Sequence, residues 1–463
     1  MPESVSRRSL SPVSLPALLL LVCGVPGSAQ APASAAPPAP PAATPATASS
    51  AAPAPVPGIQ ALVGRLELGR YKAAIKGLTQ FGDRRQGTDR NRAAVDWIEA
   101  QLKSYGCTNT ERITYDFQPA PSAGAAGTPG AGGAPGAGGG AASTAPASGA
   151  TPGATAAPPA VIAPDAPAYP QAAQGGGRPR GFRSRTGVNT DPLAQPDLAL
   201  RKLNEQPTTP GTRQEVYCTK IGTTHPEEMY IVGAHMDGHG WGEAANDDGS
   251  GTALVMELAR VFNSPDVTTE RSIRFALWNN EETGLNGAKA YVTQRQALQG
   301  KEDPPGSGRY PEPKWLGMIQ HDMMMFDHGM PRADGTVSPE QRPEADVNVE
   351  FQVASKFAAE AAALAWTFHA ANETYATDYP ATVGDRMTNT DSTPFMDVVP
   401  AISLRENERG VQIGNGWDPH WHQPTDRYST FSDKDFRLGL NAAQTTLAAI
   451  AKLTGATVKA EGK

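Results

Sequence analysis

Met229-Tyr230-Ile231-Val232-Gly233-Ala234-His235-Met236-Asp237 is the stretch on which the fold turns. Residues 229–234 carry no charge, are apolar almost throughout and are too few for an ordinary helix, so they read as a strand buried on both faces. His235 then emerges at that strand's carboxyl end, the edge where open α/β sheets place their ligands.

Reading outward from this strand, helical and strand patterns alternate. A helix is expected over 251–262, a strand over 273–278 and a helix over 287–298. A strand at 315–319, a long Ala-rich helix over 351–368, a strand at 401–404 and a last helix over 436–453 follow. Alternation of this kind predicts an α/β three-layer sandwich, a mainly parallel central sheet flanked by helices. Upstream, Ala93, Ala94, Trp97, Ile98 and Leu102 recur at helical spacing over 89–105, and Gly106 stands where such a helix stops. Ile113, Tyr115 and Phe117 alternate as one face of a strand, and 215–221 supplies a partner strand. Between them lies an insertion, 118–213, so rich in Ala, Gly and Pro that most of it is expected to be disordered, interrupting a hairpin. The same bias fills 31–57, read as a linker ahead of a domain over 58–463.

The net charge is -7 with no basic stripe, which argues against nucleic acid as a partner. Arg178, Arg180, Arg183 and Arg185 fall in a Gly-rich stretch and read as a solvated loop. Arg7 and Arg8, then an apolar run through Leu15 to Val22 and small residues to Ala29, have the layout of a secretory signal over 1–30. That run is too short to span a bilayer, and no later segment is longer. An exported protein, periplasmic or extracellular, is therefore expected. Ser6-Arg7-Arg8-Ser9-Leu10 partly resembles a twin-arginine signal, and Cys23 follows a partial lipoprotein pattern in which Val22 departs from the usual small residue. Removal of the leader leaves Cys107 and Cys218, for which a disulfide and two buried thiols are both open readings.

The chemistry-bearing residues recur at strand ends. His235 offers an imidazole, and Asp237 a carboxylate able to accept the other ring N–H. Asn246-Asp247-Asp248-Gly249-Ser250-Gly251 opens the helix at 251, and helix capping accounts for one of its two carboxylates but not both. Asn279-Asn280-Glu281-Glu282 follows the strand at 273–278, with adjacent side chains pointing different ways, one suited to a metal and one to a proton. His321-Asp322 follows another strand, and His420-Trp421-His422-Gln423-Pro424-Thr425-Asp426 forms a late loop. Each pattern alone has a structural explanation; the ordered set is far harder to produce by chance. A serine nucleophile at Ser250 fits poorly, because no Gly-x-Ser-x-Gly elbow is present.

Taken together these motifs resemble the co-catalytic di-zinc aminopeptidase family, which includes glutamate carboxypeptidase II and the glutaminyl cyclases. The resemblance runs from about residue 68 to 453, and Arg85-Gln86-Gly87-Thr88 and Thr390-Asp391-Ser392-Thr393-Pro394-Phe395 support it. It implies two zinc ions per chain, with His235 and Glu282 on opposite metals and Asp247 bridging. Asp322 would complete one metal and His422 the other, with Glu281 as general base and Asp237 as its catalytic companion. Peptides are the implied substrates and hydrolysis at the amino terminus the implied reaction. His239 and His420 are the nearest alternative ligands, while Asp391 and Phe395 are given no catalytic role and are read as pocket wall. A single-zinc glutaminyl cyclase-like transferase and a non-catalytic receptor-like binding domain are the competing readings. The Ala/Gly/Pro insertion is expected to be a surface loop, or in a second version a cover for the cleft.

Overall fold

The computed structural model describes residues 54–118, 188–326, 347–387, 389–406, 418 and 420–459. The leader over 1–30, the twin-arginine and Cys23 readings, nearly all of the linker, the arginine-rich patch and the insertion up to 187 lie outside the described residues.

An eight-stranded sheet forms the centre. In chain order its strands are β1 (Thr110–Phe117), β2 (Gly211–Lys220), β3 (His225–His235), β5 (Arg271–Trp278), β6 (Lys314–His321), β7 (Val347–Phe351), β8 (Ala381–Gly384) and β9 (Ala401–Glu406). The short strands β4 (Val267–Thr268) and β10 (Thr457–Val458) pair separately. The spatial order is β1-β2-β5-β3-β6-β9-β7-β8. The inner four, β5, β3, β6 and β9, are parallel, whereas β2 joins β5 and β7 joins β9 antiparallel. All four inner strands therefore open their carboxyl ends on the same edge.

Side-chain alternation explains the layers. Along β3, Val232 and Ala234 enter one core while Met229 and Ile231 enter another. Along β5, Ile273, Phe275 and Leu277 face the first core, and Ala276 and Trp278 the second. A strand carrying apolar residues at every position must be covered on both faces. The first face is covered by the helices α1 (Pro57–Val63), α2 (Leu68–Thr79), α3 (Asp89–Ser104), α5 (Gly249–Phe262), α7 (Ala358–Tyr375) and α8 (Asp433–Leu453). Ala288, Tyr291 and Val292 of α6 (Asn286–Arg295) cover the second, together with Phe395 and Val399. The three-layer α/β sandwich with a mostly parallel sheet is thus the observed fold.

Two differences from the sequence reading stand out. The Ala-rich helix begins at Ala358 rather than near 351, because Val347-Asn348-Val349-Glu350-Phe351 alternates and pairs as a strand between β9 and β8. Regular structure also resumes before residue 213: α4 (Leu198–Asn204) is capped by Asp197, and β2 begins at Gly211.

Cys107 and Cys218 form a disulfide with their Cα atoms 6.1 Å apart, spanning a sequence separation of 111 residues. Cys218 is the register partner of Thr110, so the bridge fastens the hairpin from which the long insertion departs. Closing so long a loop removes much entropy from the unfolded chain, about 4–5 kcal/mol in the chain-entropy account. Replacing both cysteines by serine is expected to lower the unfolding free energy by about that amount, read from denaturant midpoints under non-reducing conditions. A fall below about 1 kcal/mol would mean that the bridge adds little.

Candidate metal centre

The inner strands deliver their terminal residues to one cleft. His235 ends β3, Glu281 and Glu282 lie in the turn beyond β5, and Asp322 follows β6. Asp247 stands just before α5, and His422 comes from the loop before α8. These six side chains line the same cleft, with His239, Leu285, Met323, Arg405 and Trp421 among its other walls.

Asp247 sits between two histidines. Its Oδ1 is 3.3 Å from His235 Nε2, and its Oδ2 is 2.8 Å from His422 Nε2. His235 Nε2 is also 3.7 Å from Asp322 Oδ1, while His422 Nε2 is 2.8 Å from Glu282 Oε2. Two half-sites result, His235 with Asp322 and His422 with Glu282, sharing one carboxylate. His239 Nε2 approaches Glu282 Oε2 at 3.0 Å, and its ring meets that of His422 edge-on at 4.0 Å. His420 is directed elsewhere: its Nδ1 lies 2.9 Å from Thr425 Oγ1, and it does not line the cleft.

The donor set fits a cation. His235 Nδ1 lies 3.0 Å from the main-chain oxygen of Asp237 and donates to it, which aims the Nε2 lone pair at two carboxylates. Lone pairs facing one another at these distances require either a proton or a metal between them. In protonated form, burial opposes the charge on His235, yet Glu281, Asp247 and Asp322 outweigh it and raise its pKa well above the usual value. His422 behaves alike: burial lowers its pKa, but Glu282 and Asp247 push it up to about 9. Glu282 Oε1 and His422 Nδ1 are buried with no hydrogen-bond partner among the described residues. Three mixed His and carboxylate trios, His239/Glu282/His422, His235/Glu281/Asp322 and His235/Asp247/Glu282, each bring one atom per residue within 4.8 Å of the others.

Asp237 takes a different place from the one its spacing suggested. Its carboxylate Oδ1 stands 3.9 Å from His235 Nδ1 and instead accepts the Glu281 N–H at 3.0 Å. The ring N–H goes to the Asp237 carbonyl, and the carboxylate is left to fix the Glu281 backbone. Burial raises Asp237 to about 6, although His235 pulls it down. Glu281, also buried, is raised well above the ordinary carboxyl range, chiefly by desolvation and then by Glu282 against the opposing pull of His235. Phe395 packs against Trp278, Tyr291 and Trp315 in the second core, so it is not pocket wall; Asn389 lines the cleft in that segment. Asp391 is fully buried, with Gln320 Nε2 3.4 Å from its Oδ2.

Other residues build the frame. Asp248 caps α5 through the Gly251 N–H and also accepts the N–H groups of His235 and Met323, tying two strand ends to one helix start. Asp426 accepts the N–H groups of Asn246 and Asp247, which locks the His422 loop to the shared carboxylate. Asn189 donates its backbone N–H to the His422 carbonyl at 3.0 Å, and Gln195 Nε2 bonds the carbonyls of Trp241 and Pro424. Arg84, fully buried, donates to the carbonyls of Met236, Glu243 and Ala244. Trp241, Ala244, Asn280, Leu285, Met323, Asn389 and His422 all have positive φ, a conformation costly for side chains with a Cβ and one that gathers at functional sites.

Gly240 shows how tight this frame is. Its φ is +97°, and a Cβ there would lie 2.3 Å from the His422 carbonyl carbon. Gly240→Ala is therefore expected to push His422 out of line and weaken metal binding at least about 10-fold, measured by chelator competition. Unchanged affinity would show that His422 is not held by this contact.

Comparison with known proteins places these motifs. A family model described as Peptidase family M28 matches residues 216–446. Aminopeptidase YwaD of Bacillus subtilis is 43% identical over 68 residues, 15% of this chain and 14% of the relative. Carboxypeptidase Q of Xenopus laevis is 34% identical over 71 residues, 15% of each. The chain thus spans only about a seventh of the length of these curated relatives. The solved aminopeptidase from Aneurinibacillus sp. strain AM-1 aligns with 87% of this chain and 97% of its own at a TM-score of 0.50 and 17% identity, a likeness of fold.

Proposed function

Because the chain belongs to peptidase family M28, we propose that it is an exported zinc metallopeptidase that removes residues from the amino terminus of peptides. The observation that carries this reading is the division of Asp247, one oxygen toward His235 and the other toward His422. In it, His235 and Asp322 would hold one zinc, Glu282 and His422 would hold the second, and Asp247 would be shared by both. Zinc suits this mixed nitrogen and oxygen set without redox change and, when bound, supplies Lewis acidity to the scissile carbonyl and the attacking water.

The chain's own residues do the rest. Glu281, lining the cleft, takes the proton from the water and delivers it to the departing amine. Its raised pKa suits that two-way exchange better than an ordinary carboxylate would. Asp237 fixes the Glu281 backbone through the N–H contact, and Asp248 and Asp426 hold the ends of the ligand loops in place. Leu285, Met323 and Trp421 offer apolar walls to a substrate side chain. Two complete half-sites are more than a single-zinc cyclase-like transferase or a non-catalytic binding domain requires.

Export rests on the leader-like amino terminus and on the disulfide, a bond that persists in oxidising compartments. Among the described residues no helix is long and apolar enough to cross a membrane. The domain reading remains a peptidase domain over 58–463 interrupted by the Ala/Gly/Pro insertion, with a leader and linker ahead of it.

The assay that tests the reaction compares free and blocked termini. Aminoacyl p-nitroanilides are expected to be cleaved, and the same compounds acetylated at the amino group are not. Cleavage of blocked peptides from the carboxyl end would overturn the aminopeptidase assignment.

A further inference from the structure

Arg405 stands at the carboxyl end of β9, on the same sheet edge as the ligand residues, and it lines the cleft. Its Nη2 donates to Asp322 Oδ2 at 2.7 Å and to the Asn389 carbonyl at 3.1 Å. Asp322 Oδ1 is the oxygen turned to His235 Nε2. The two oxygens of Asp322 are thus divided between the His235 half-site and a guanidinium that is always charged. The partner half-site is built differently: among the described residues, Glu282 forms its ion pairs with His239 and His422 and none with an arginine.

We propose that Arg405 is a positioning residue that keeps Asp322 a one-oxygen ligand and loosens the metal of the His235 half-site, leaving that metal's coordination open to substrate. This rests on the two-metal reading above. Two effects follow from the contact. Nη2, shared between Asp322 Oδ2 and the Asn389 carbonyl, orients Oδ1 toward the half-site, and the fixed positive charge draws electron density from the ligand and repels the divalent ion. Glu281, whose carboxylate lies with His235 and Asp322 in one trio, adds a negative charge on the same side, so the loosening is partial. A metalloenzyme site that performs chemistry keeps a coordination position free, whereas a purely structural site closes it. A carboxylate held by one oxygen serves the first purpose.

The test is a calorimetric titration of zinc into the metal-free full-length protein, with kcat and KM measured on the reloaded enzyme. Asp322→Asn identifies the binding step of the His235 half-site as the step it abolishes. Arg405→Met, which removes the positive charge facing the divalent ion, is expected to tighten that step about 10-fold, leave the other step unchanged and lower kcat more than it changes KM. Arg405→Lys, which restores the charge, should return the step toward the native affinity. If Arg405→Met fails to fold, Arg405→Gln, neutral but still able to donate, must show the same selective tightening. A step that is unmoved or weakened in the neutral variants, or a shift of both steps together, overturns the role of Arg405. Native protein that binds a single zinc defeats the two-metal reading instead.

Discussion

Glu281→Gln should lower kcat by about 10³-fold, within the range for loss of a general acid and base, while the protein keeps its full metal content. Glutamine fills the same space and keeps the backbone N–H that Asp237 accepts, so the turn beyond β5 has no cause to move. What it loses is the capacity to hold a proton. Glu282, its neighbour, points to His422 and His239, and the metal it would share is untouched by the change. The two glutamates are adjacent in sequence but face different tasks, because the chain turns between β5 and α6 and sends their side chains to different partners. Initial rates with metal content measured on the same sample decide the matter. Activity within about tenfold of native would remove Glu281 from the reaction, and loss of metal would make it a ligand.

Asp247→Asn should have the opposite signature, with metal binding impaired at both half-sites and activity falling with it. Asp247 is held well below the usual carboxylate range because, against its burial, both His235 and His422 bond to it. An amide presents one oxygen and one NH₂ group, so it can serve one half-site at most, and its donors face a histidine lone pair on the other. The loss should exceed the 10–100-fold typical of disturbing a residue behind the ligands, being at least about 100-fold in metal affinity. Asp426 and the α5 cap leave the local backbone intact, so the fold should survive, as circular dichroism would show. Retention of two tightly held metals in Asp247→Asn would exclude a bridging role.

Much of this site was legible because its residues share one physical signal, a charged or imidazole side chain at the end of an apolar strand. His235, Glu282 and Asp322 follow runs that can only be buried strands, and the helix opening at Asp248 uses one carboxylate as a cap while the other faces the cleft. Arg405 carries the same signal, since it breaks Ala401-Ile402-Ser403-Leu404 at the strand's end, yet the sequence reading passed over it. The last two strands on that side of the sheet were harder: β7 and β8 are short, and Asn348 and Glu350 in β7 pair with each other inside the protein, hiding an apolar pattern. The roles of Asp426, Asn189, Gln195 and Arg84 depend on bonds to carbonyls and N–H groups far away in sequence, which no local pattern records. Asp237 was found by its spacing, but whether its carboxylate or its carbonyl met His235 depended on backbone geometry that only the folded chain reveals. The disulfide is similar: Cys107 and Cys218 could be placed in neighbouring elements, and only the β1–β2 register brings them together.

The shared carboxylate is the centre of this account, and counting metal tests it most directly. Elemental analysis of the purified full-length protein, normalised to protein concentration by amino-acid analysis, should give two zinc ions per chain. One ion per chain, or none retained after zinc reconstitution and gel filtration, would contradict it.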